Sequence, residues 1–110
     1  MAAKRVLIVL GKLKRGGAET LVMNIYRTID RSVVQFDFIV HTPDRYDYDD
    51  EIESLGGKIY RFPQYNVLNH FEYKRCWNRF FAEHPEYRII HAHMTGSASV
   101  FLPIAKKYGL

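Results

Sequence analysis

Two short segments of this chain carry groups that could do chemistry. Residues 11–19, GKLKRGGAE, form a basic turn with three glycines that joins an apolar run to an amphipathic segment. Glycines let the backbone approach a ligand closely, and the first amides of a helix have no partner within it, so such a turn can bind phosphate. The second segment, residues 91–97, contains His91 and His93, which point to the same side of an extended chain.

The glycine turn does not match the two best-known glycine-rich nucleotide motifs. A P-loop requires Lys and then Ser or Thr after its closing glycine, whereas Gly16 is followed by Gly17 and Ala18. A dinucleotide fingerprint requires G-x-G-x-x-G and an acidic residue at the end of the second strand, where this chain has His41. The pattern therefore argues against an ATPase, a GTPase or classical NAD binding. Two interpretations of this segment remain: the turn contacts phosphate, or its glycines only cap a tight turn.

The histidine pair favours contact with a ligand over metal binding. Residues 91–97 contain no Asp, Glu or Cys that would complete a metal site, so we predict no metal and no cofactor. His91 lies within a strand end, where we expect it to satisfy backbone groups. His93 lies further out, and a neutral imidazole with a pKa near 6.5 can hydrogen-bond a hydroxyl or transfer a proton. We assign no ligand role to His41, His70 or His84.

Four strand–helix units should position these two segments. The predicted strands cover residues 5–10, 36–40, 58–62 and 88–91, and the predicted helices begin at Ala18 and near residue 48 and span residues 68–83 and 97–108. Short connections imply an α/β fold with a parallel sheet, right-handed crossovers and helices on both faces. For the strand order 3-2-1-4, the ligand crevice lies beyond the carboxyl ends of strands one and four. The glycine turn and residues 91–97 should therefore converge.

Two further expectations concern the helices. Tyr73, Trp77, Phe80 and Phe81 lie on one stripe of residues 68–83, which predicts a core face rather than a ligand platform. Pro103 lies inside the last predicted helix, where it predicts a kink or a late helix start.

Composition indicates a single globular domain. The chain has 110 residues, of which 47% are hydrophobic, enough for a packed core. It has one cysteine, no signal peptide and no apolar stretch approaching the roughly 20 residues that cross a bilayer, so we predict a cytoplasmic protein. The net charge of +4 is modest, and no nucleic-acid-binding module is recognisable, so we predict no nucleic-acid partner.

Several segments, taken in order, resemble the amino-terminal domain of family 4 retaining glycosyltransferases of the GT-B fold. They are residues 6–9 (VLIV), 16–19 (GGAE), 36–40 (FDFIV), 50–57 (DEIESLGG) and 90–93 (IHAH). The resemblance covers nearly the whole chain and is strongest to bacterial enzymes of capsular and exopolysaccharide assembly. It implies a Rossmann-like fold and transfer of a sugar from a nucleotide-sugar donor to an acceptor hydroxyl, with retention at the anomeric carbon.

The resemblance also implies roles for the glycine turn. Gly16 and Gly17 would lie near the donor diphosphate and the acceptor, where backbone amides can stabilise leaving-group charge. Lys14 and Arg15 are expected to bind substrate phosphate. The alternatives for these side chains, together with Lys12, are contact with an anionic membrane that carries a lipid-linked acceptor, peripheral to its inner face, or contact with solvent alone.

His93 is the catalytic residue that the resemblance implies, in contact with the donor sugar or the acceptor. Some members of the family follow this histidine with Glu-Pro, whereas this chain has Met94 and Thr95. We therefore expect different acceptor contacts, with Thr95 as a substrate-binding residue.

The resemblance implies two facing Rossmann-like domains, of which residues 1–110 correspond to part of the first, acceptor-side domain. The carboxyl-terminal nucleotide-sugar domain, with its Glu-x7-Glu motif, is absent from the sequence. We therefore expect a truncated domain that is inactive by itself and self-associates through an uncovered strand edge. The partners expected for the parent protein are a nucleotide-sugar donor, a saccharide or lipid-linked acceptor, and the missing domain. Two alternatives stay open: a non-catalytic Rossmann-like module that binds phosphate or assembles with protein, and a nucleotide-dependent enzyme with an unusual glycine loop.

Overall fold

A computed structural model describes residues 4–11, 17–93 and 97–110 of the chain. The strands are β1 (Lys4–Val9), β2 (Val34–Val40), β3 (Ile59–Arg61) and β4 (Ile89–Ala92). The helices are α1 (Gly17–Thr28), α2 (Asp49–Ser54), α3 (His70–Glu83), preceded by a 3₁₀ turn at Val67–Asn69, and α4 (Ala98–Lys107).

The described strands form one parallel sheet in the order β3-β2-β1-β4. Val9 pairs with Ile39 of β2 on one side and with Ala92 of β4 on the other, so these strands end at the same level. The predicted Rossmann-like α/β architecture and strand order are confirmed. The order changes direction between β1 and β4, where such sheets have their crevice.

Alternation along the central strands produces two apolar layers. Leu7 and Val9 belong to one buried cluster, and Ile8 and Leu10 belong to the other, because successive side chains of a strand point to opposite faces. The first cluster is completed by α3 and α4, and the second by α1 and α2. A central strand covered on both faces explains the continuous apolar run of β1.

The turn after α2 is closed by two glycines with different requirements. Gly56 has a φ of +92°, a conformation that favours glycine. Gly57 is packed so closely that a Cβ atom would lie 2.8 Å from the Tyr26 hydroxyl and 2.9 Å from the Phe36 carbonyl oxygen. This pair therefore ends α2 and lets the chain pass close beneath α1.

The predicted helix over residues 68–83 is divided at its start. The Asn66 side chain accepts the Asn69 backbone N–H at 2.9 Å, and the Asn69 side chain accepts the Asn66 backbone N–H at 2.8 Å. This reciprocal capping box closes a 3₁₀ turn, and the α-helix begins only at His70. The predicted core stripe is confirmed, since the side chains it comprises are all buried: Tyr73, Trp77, Phe80 and Phe81.

The last helix begins at Ala98, five residues before Pro103, so a late start caused by the proline is not what occurs. Because proline has no backbone N–H, the Ser99 carbonyl lacks its usual partner four residues later. Buried contacts of Phe101, Ile104 and Ala105 with the core hold the helix in place across this position.

A charged group lies within the sheet layer itself. The fully buried Asp37 carboxylate accepts from Nη1 of Arg5 at 2.7 and 2.8 Å, from the Lys58 backbone N–H at 2.8 Å and from the Tyr87 hydroxyl. These partners satisfy the carboxylate oxygens, as a buried charge requires. The network ties β1, β2 and the start of β3 together below the level of the crevice.

None of the helices in the described part of the chain is long and apolar enough to cross a membrane.

Candidate functional site

The carboxyl ends of β1 and β4 place His93 at the predicted crevice. The backbone N–H of His93 donates to the Val9 carbonyl at 2.9 Å, one residue beyond the end of β4. Gly11 follows β1 beside it, and its carbonyl accepts the His41 backbone N–H at 2.8 Å. Backbone hydrogen bonds on both sides of β1 therefore fix the position of His93 at the carboxyl edge of the sheet.

The two histidines of the pair lie on the same side of β4, as their spacing predicts. Their ring centroids are 4.4 Å apart, and the rings are tilted by 43°. His91 is exposed and His93 is half-buried. Among the described residues no group of three His, Cys, Asp or Glu side chains is placed to hold a metal ion.

The His93 ring has a buried nitrogen without a partner. Its Nε2 atom is shielded from solvent and has no hydrogen bond among the described residues. A buried polar atom left without a partner is costly, so such atoms are frequent where a ligand or water completes the bonding. Nε2 can therefore accept a proton from a hydroxyl group, or donate one to an oxygen, depending on the tautomer.

Electrostatics keep this imidazole neutral and connect it to α1. Burial lowers the pKa of His93 below its usual value of 6.5, and the neighbouring His91 lowers it further. The Glu19 carboxylate, in the first turn of α1, opposes these effects and raises the pKa of His93. The beginning of α1 and the end of β4 therefore lie within electrostatic range of each other.

The structure describes only part of the predicted substrate-binding set. Gly17 is the first residue of α1 and is exposed, and a Cβ atom there would have no atom of the described residues within 4 Å. The described part of the chain therefore leaves open space beside the start of the helix. The other predicted substrate contacts lie outside the described residues: Lys14, Arg15, Gly16 and Thr95. Their roles stay predictions, as does that of Lys12.

A buried polar network supports the crevice from below. Nδ1 of His41 lies 3.0 Å from the Leu10 carbonyl oxygen, and Nε2 lies 2.6 Å from the Tyr73 hydroxyl. The Tyr73 hydroxyl also bonds Oγ of Ser97 at 2.9 Å. The residue before α4 is therefore joined through α3 to the ends of β1 and β2. Burial lowers the pKa of His41, which favours the neutral ring.

The sequence did not reveal this network as a unit. The sequence assigns no ligand role to His41, and in the structure its Nδ1 satisfies the Leu10 backbone carbonyl. Tyr73 was assigned to the aromatic core stripe, and its ring does pack there. Neither pattern indicates that the Tyr73 hydroxyl joins His41 to Ser97, because 32 and 24 positions separate these partners along the chain. A tyrosine in place of phenylalanine within a core stripe was the available signal, since a buried hydroxyl requires a partner.

Comparison with known proteins identifies a relative. The chain is 41% identical over 104 residues to "Putative glycosyltransferase EpsF" of Bacillus subtilis (strain 168). The matched residues make up 94% of this chain and 27% of the relative. No family model matches the chain, and no solved structure matches it. The resemblance to bacterial glycosyltransferases predicted from the sequence is confirmed: over nearly its whole length the chain is similar to about a quarter of a bacterial protein named as a glycosyltransferase.

Proposed function

We propose that this chain belongs to a longer enzyme that transfers a sugar from a nucleotide-sugar donor to an acceptor hydroxyl, with retention, in bacterial polysaccharide or glycolipid synthesis. The identity of 41% over 94% of the chain is the observation that carries the proposal. The chain spans 27% of that relative, so a complete active site would include residues outside this sequence. In the proposed enzyme, residues 1–110 form part of the acceptor-side domain of a GT-B fold.

The site supports a role in substrate positioning. Nε2 of His93 is a buried polar atom at the crevice with no hydrogen-bond partner among the described residues, and the lowered pKa of His93 keeps the ring neutral near pH 7. A neutral imidazole can form a hydrogen bond with a sugar hydroxyl without placing a positive charge beside the donor. The open space at Gly17 lets a ligand approach the first amides of α1, which have no partner within the helix. These amides would stabilise negative charge on the departing nucleoside diphosphate.

The remaining parts of the proposal concern the whole enzyme. The partner domain would supply the nucleotide-sugar site and the opposite wall of the cleft. The acceptor would be a saccharide or a lipid-linked saccharide of the capsular or exopolysaccharide class, reached at the inner face of the membrane from the cytoplasm. Residues 1–110 alone would show no turnover, because they supply only one wall.

Assays of the longer protein test this proposal. It is incubated with UDP-, GDP- and ADP-sugars, and release of the nucleoside diphosphate is measured with and without membrane extract as a source of acceptor. The His93→Ala variant should lower kcat by about 100-fold or more, whereas His91→Ala, at the exposed member of the pair, should change it only slightly. Wild-type protein that binds nucleotide sugars but never turns them over would favour a non-catalytic binding module. Efficient turnover by residues 1–110 alone would contradict the proposed division of the site.

A further inference from the structure

Two large apolar side chains at the start of α3 are exposed to solvent. Leu68, in the 3₁₀ turn, is 99% exposed, and Phe71, in the first turn of the helix, is 80% exposed. The Phe71 ring contacts the His70 ring edge-on, with centroids 5.4 Å apart, and does not enter the core. Isolated exposed apolar residues are ordinary, but two such residues within one turn need a reason.

Two cationic side chains follow this apolar pair on α3, and two more lie at the end of α4. Lys74 and Arg75 follow Phe71 by three and four positions and therefore share its face of α3. Lys106 and Lys107 lie in the last turn of α4, a helix with no acidic residue. We call the exposed set formed by Leu68, Phe71, Lys74, Arg75, Lys106 and Lys107 the α3–α4 basic surface.

The two helices form a groove within this surface. Its volume is about 570 Å³, and Lys74 of α3 and Lys107 of α4 both line it, together with His70 and Ser99. Of the two acidic residues of α3, Glu83 lines a separate depression on the opposite flank of the helix, with Arg79, whereas Glu72 is exposed in the first turn beside Phe71. The α3–α4 basic surface therefore has four cationic side chains beside one carboxylate, that of Glu72, and keeps a net positive charge.

We propose that the α3–α4 basic surface docks on an anionic lipid bilayer. Leu68 and Phe71 enter the headgroup region, and the lysines and arginine contact lipid phosphates, which is the division of labour found on interfacial amphipathic segments. A protein partner fits less well, because the buried centres of protein interfaces are depleted in lysine. None of the residues of this surface belongs to the basic glycine turn, and docking through it does not depend on the proposed sugar transfer.

Docking by this surface would also orient the crevice. Helices α3 and α4 both begin near the carboxyl edge of the sheet, and the bond between Tyr73 and Ser97 joins them there. The groove runs from this end along both helices. With the α3–α4 basic surface on a bilayer, the edge that carries His93 lies next to the lipid headgroups.

Vesicle co-sedimentation of the 110-residue chain tests the proposal. Phosphatidylcholine vesicles with phosphatidylglycerol should retain the chain at low salt, and pure phosphatidylcholine vesicles should not. The Lys74→Gln/Arg75→Gln variant should bind about 25-fold more weakly, since each cation near an anionic surface contributes about fivefold. The Leu68→Ser/Phe71→Ser variant should lose at least about tenfold, because the inserted apolar groups are removed.

Matched controls separate this surface from general charge and apolarity. Leu21→Ser/Ile25→Ser changes two exposed apolar residues of α1, on the opposite side of the sheet, and Lys58→Gln/Arg88→Gln removes two exposed cations that precede β3 and β4. Both should bind vesicles like the unmodified chain, with unchanged circular dichroism in all variants. Equal binding to both vesicle types, or equal losses in controls and test variants, would overturn the proposal. So would a dimer in solution that only the Leu68→Ser/Phe71→Ser change dissociates, because the occupant would then be a second copy.

Discussion

The Tyr73 hydroxyl lies 2.6 Å from Nε2 of His41, although the two residues are 32 positions apart. This contact joins the first turn of α3 to the residue that follows β2. Because the same hydroxyl bonds Ser97, it also fixes the residue from which α4 begins. The position of Ser97, at the start of α4, is therefore set by buried polar bonding as well as by apolar packing.

Removing the Tyr73 hydroxyl should destabilise the fold without leaving a large cavity. In Tyr73→Phe, Nε2 of His41 and Oγ of Ser97 both lose a buried partner, and we expect a loss of about 1–3 kcal/mol in the free energy of unfolding. Urea denaturation monitored by circular dichroism measures it. Tyr65→Phe is the matched control, since it removes a hydroxyl bond to His70 that is only partly buried, and it should cost less than about 1 kcal/mol. Equal effects of the two changes would contradict the structural role of the network.

Stability should fall as the pH decreases from about 7.5 to 5.5, and His41 should contribute to that fall. Burial lowers the pKa of His41 in the folded state below 6.5. As the pH falls through 6.5, the unfolded chain therefore binds a proton before the folded chain does. Folding loses at most about 1.4 kcal/mol per pH unit from such a group until the folded-state pKa is reached. The difference in pH dependence between the unmodified chain and His41→Asn isolates the effect, because the other titrating groups cancel. Equal slopes for the two proteins over this range would count against it.

The electrostatic link between α1 and β4 can be measured at His93 itself. An NMR titration should give His93 a pKa below 6.5. Glu19→Gln removes the nearby negative charge and should lower that pKa further, whereas His91→Gln removes a positive neighbour and should raise it. Glu72→Gln, on α3, is the control and should leave it unchanged. A His93 pKa that does not respond to Glu19→Gln would show that the start of α1 and the end of β4 do not meet as described.

The parts of this molecule that the sequence predicts well are those set by periodic burial. The strands, their order and the stripe containing Trp77 follow from apolar spacing and from the handedness of short crossovers. The division of the third helix at Asn69 escaped prediction because a capping box between two asparagines looks the same in sequence as two polar helix residues. The sequence predicts that His93 lies at the crevice, but it does not predict that Nε2 lacks a partner among the described residues, because that depends on every neighbouring side chain in the fold.

The ion pair between Asp37 and Arg5, in which Nη1 of Arg5 donates to both carboxylate oxygens, should be important for stability. Asp37→Asn removes the negative charge that Arg5, Tyr87 and the Lys58 amide contact. We expect the free energy of unfolding to fall by about 2–4 kcal/mol. This loss is smaller than for a fully buried ion pair, because the Arg5 side chain is 31% exposed. Asp50→Asn breaks a surface ion pair with Arg45, in which the Asp50 side chain is 93% exposed, and should change stability by less than about 0.5 kcal/mol. Thermal and urea unfolding of both variants provide the comparison. Similar small losses would mean that the Asp37 network contributes little.

Gly57 and Gly17 should respond in opposite ways to the same substitution. An alanine Cβ at Gly57 would lie within 2.9 Å of atoms of Ile52, Tyr26 and the Phe36 backbone, and a backbone atom cannot rotate away. We expect Gly57→Ala to cost about 2–3 kcal/mol, as other overpacked sites do.

At Gly17 no atom of residues 4–11, 17–93 or 97–110 lies within 4 Å of the added Cβ atom, and the residue starts a helix. Gly17→Ala should therefore leave the free energy of unfolding unchanged or raise it by up to about 1 kcal/mol. Urea denaturation of the 110-residue chain measures both effects. In the longer enzyme that we propose, Gly17→Ala should nevertheless weaken binding of the proposed nucleotide-sugar donor, because the methyl group occupies the space beside the first amides of α1. A Gly17→Ala enzyme with unchanged KM for the donor and unchanged kcat would show that no ligand approaches this position, and that the turn only connects β1 to α1.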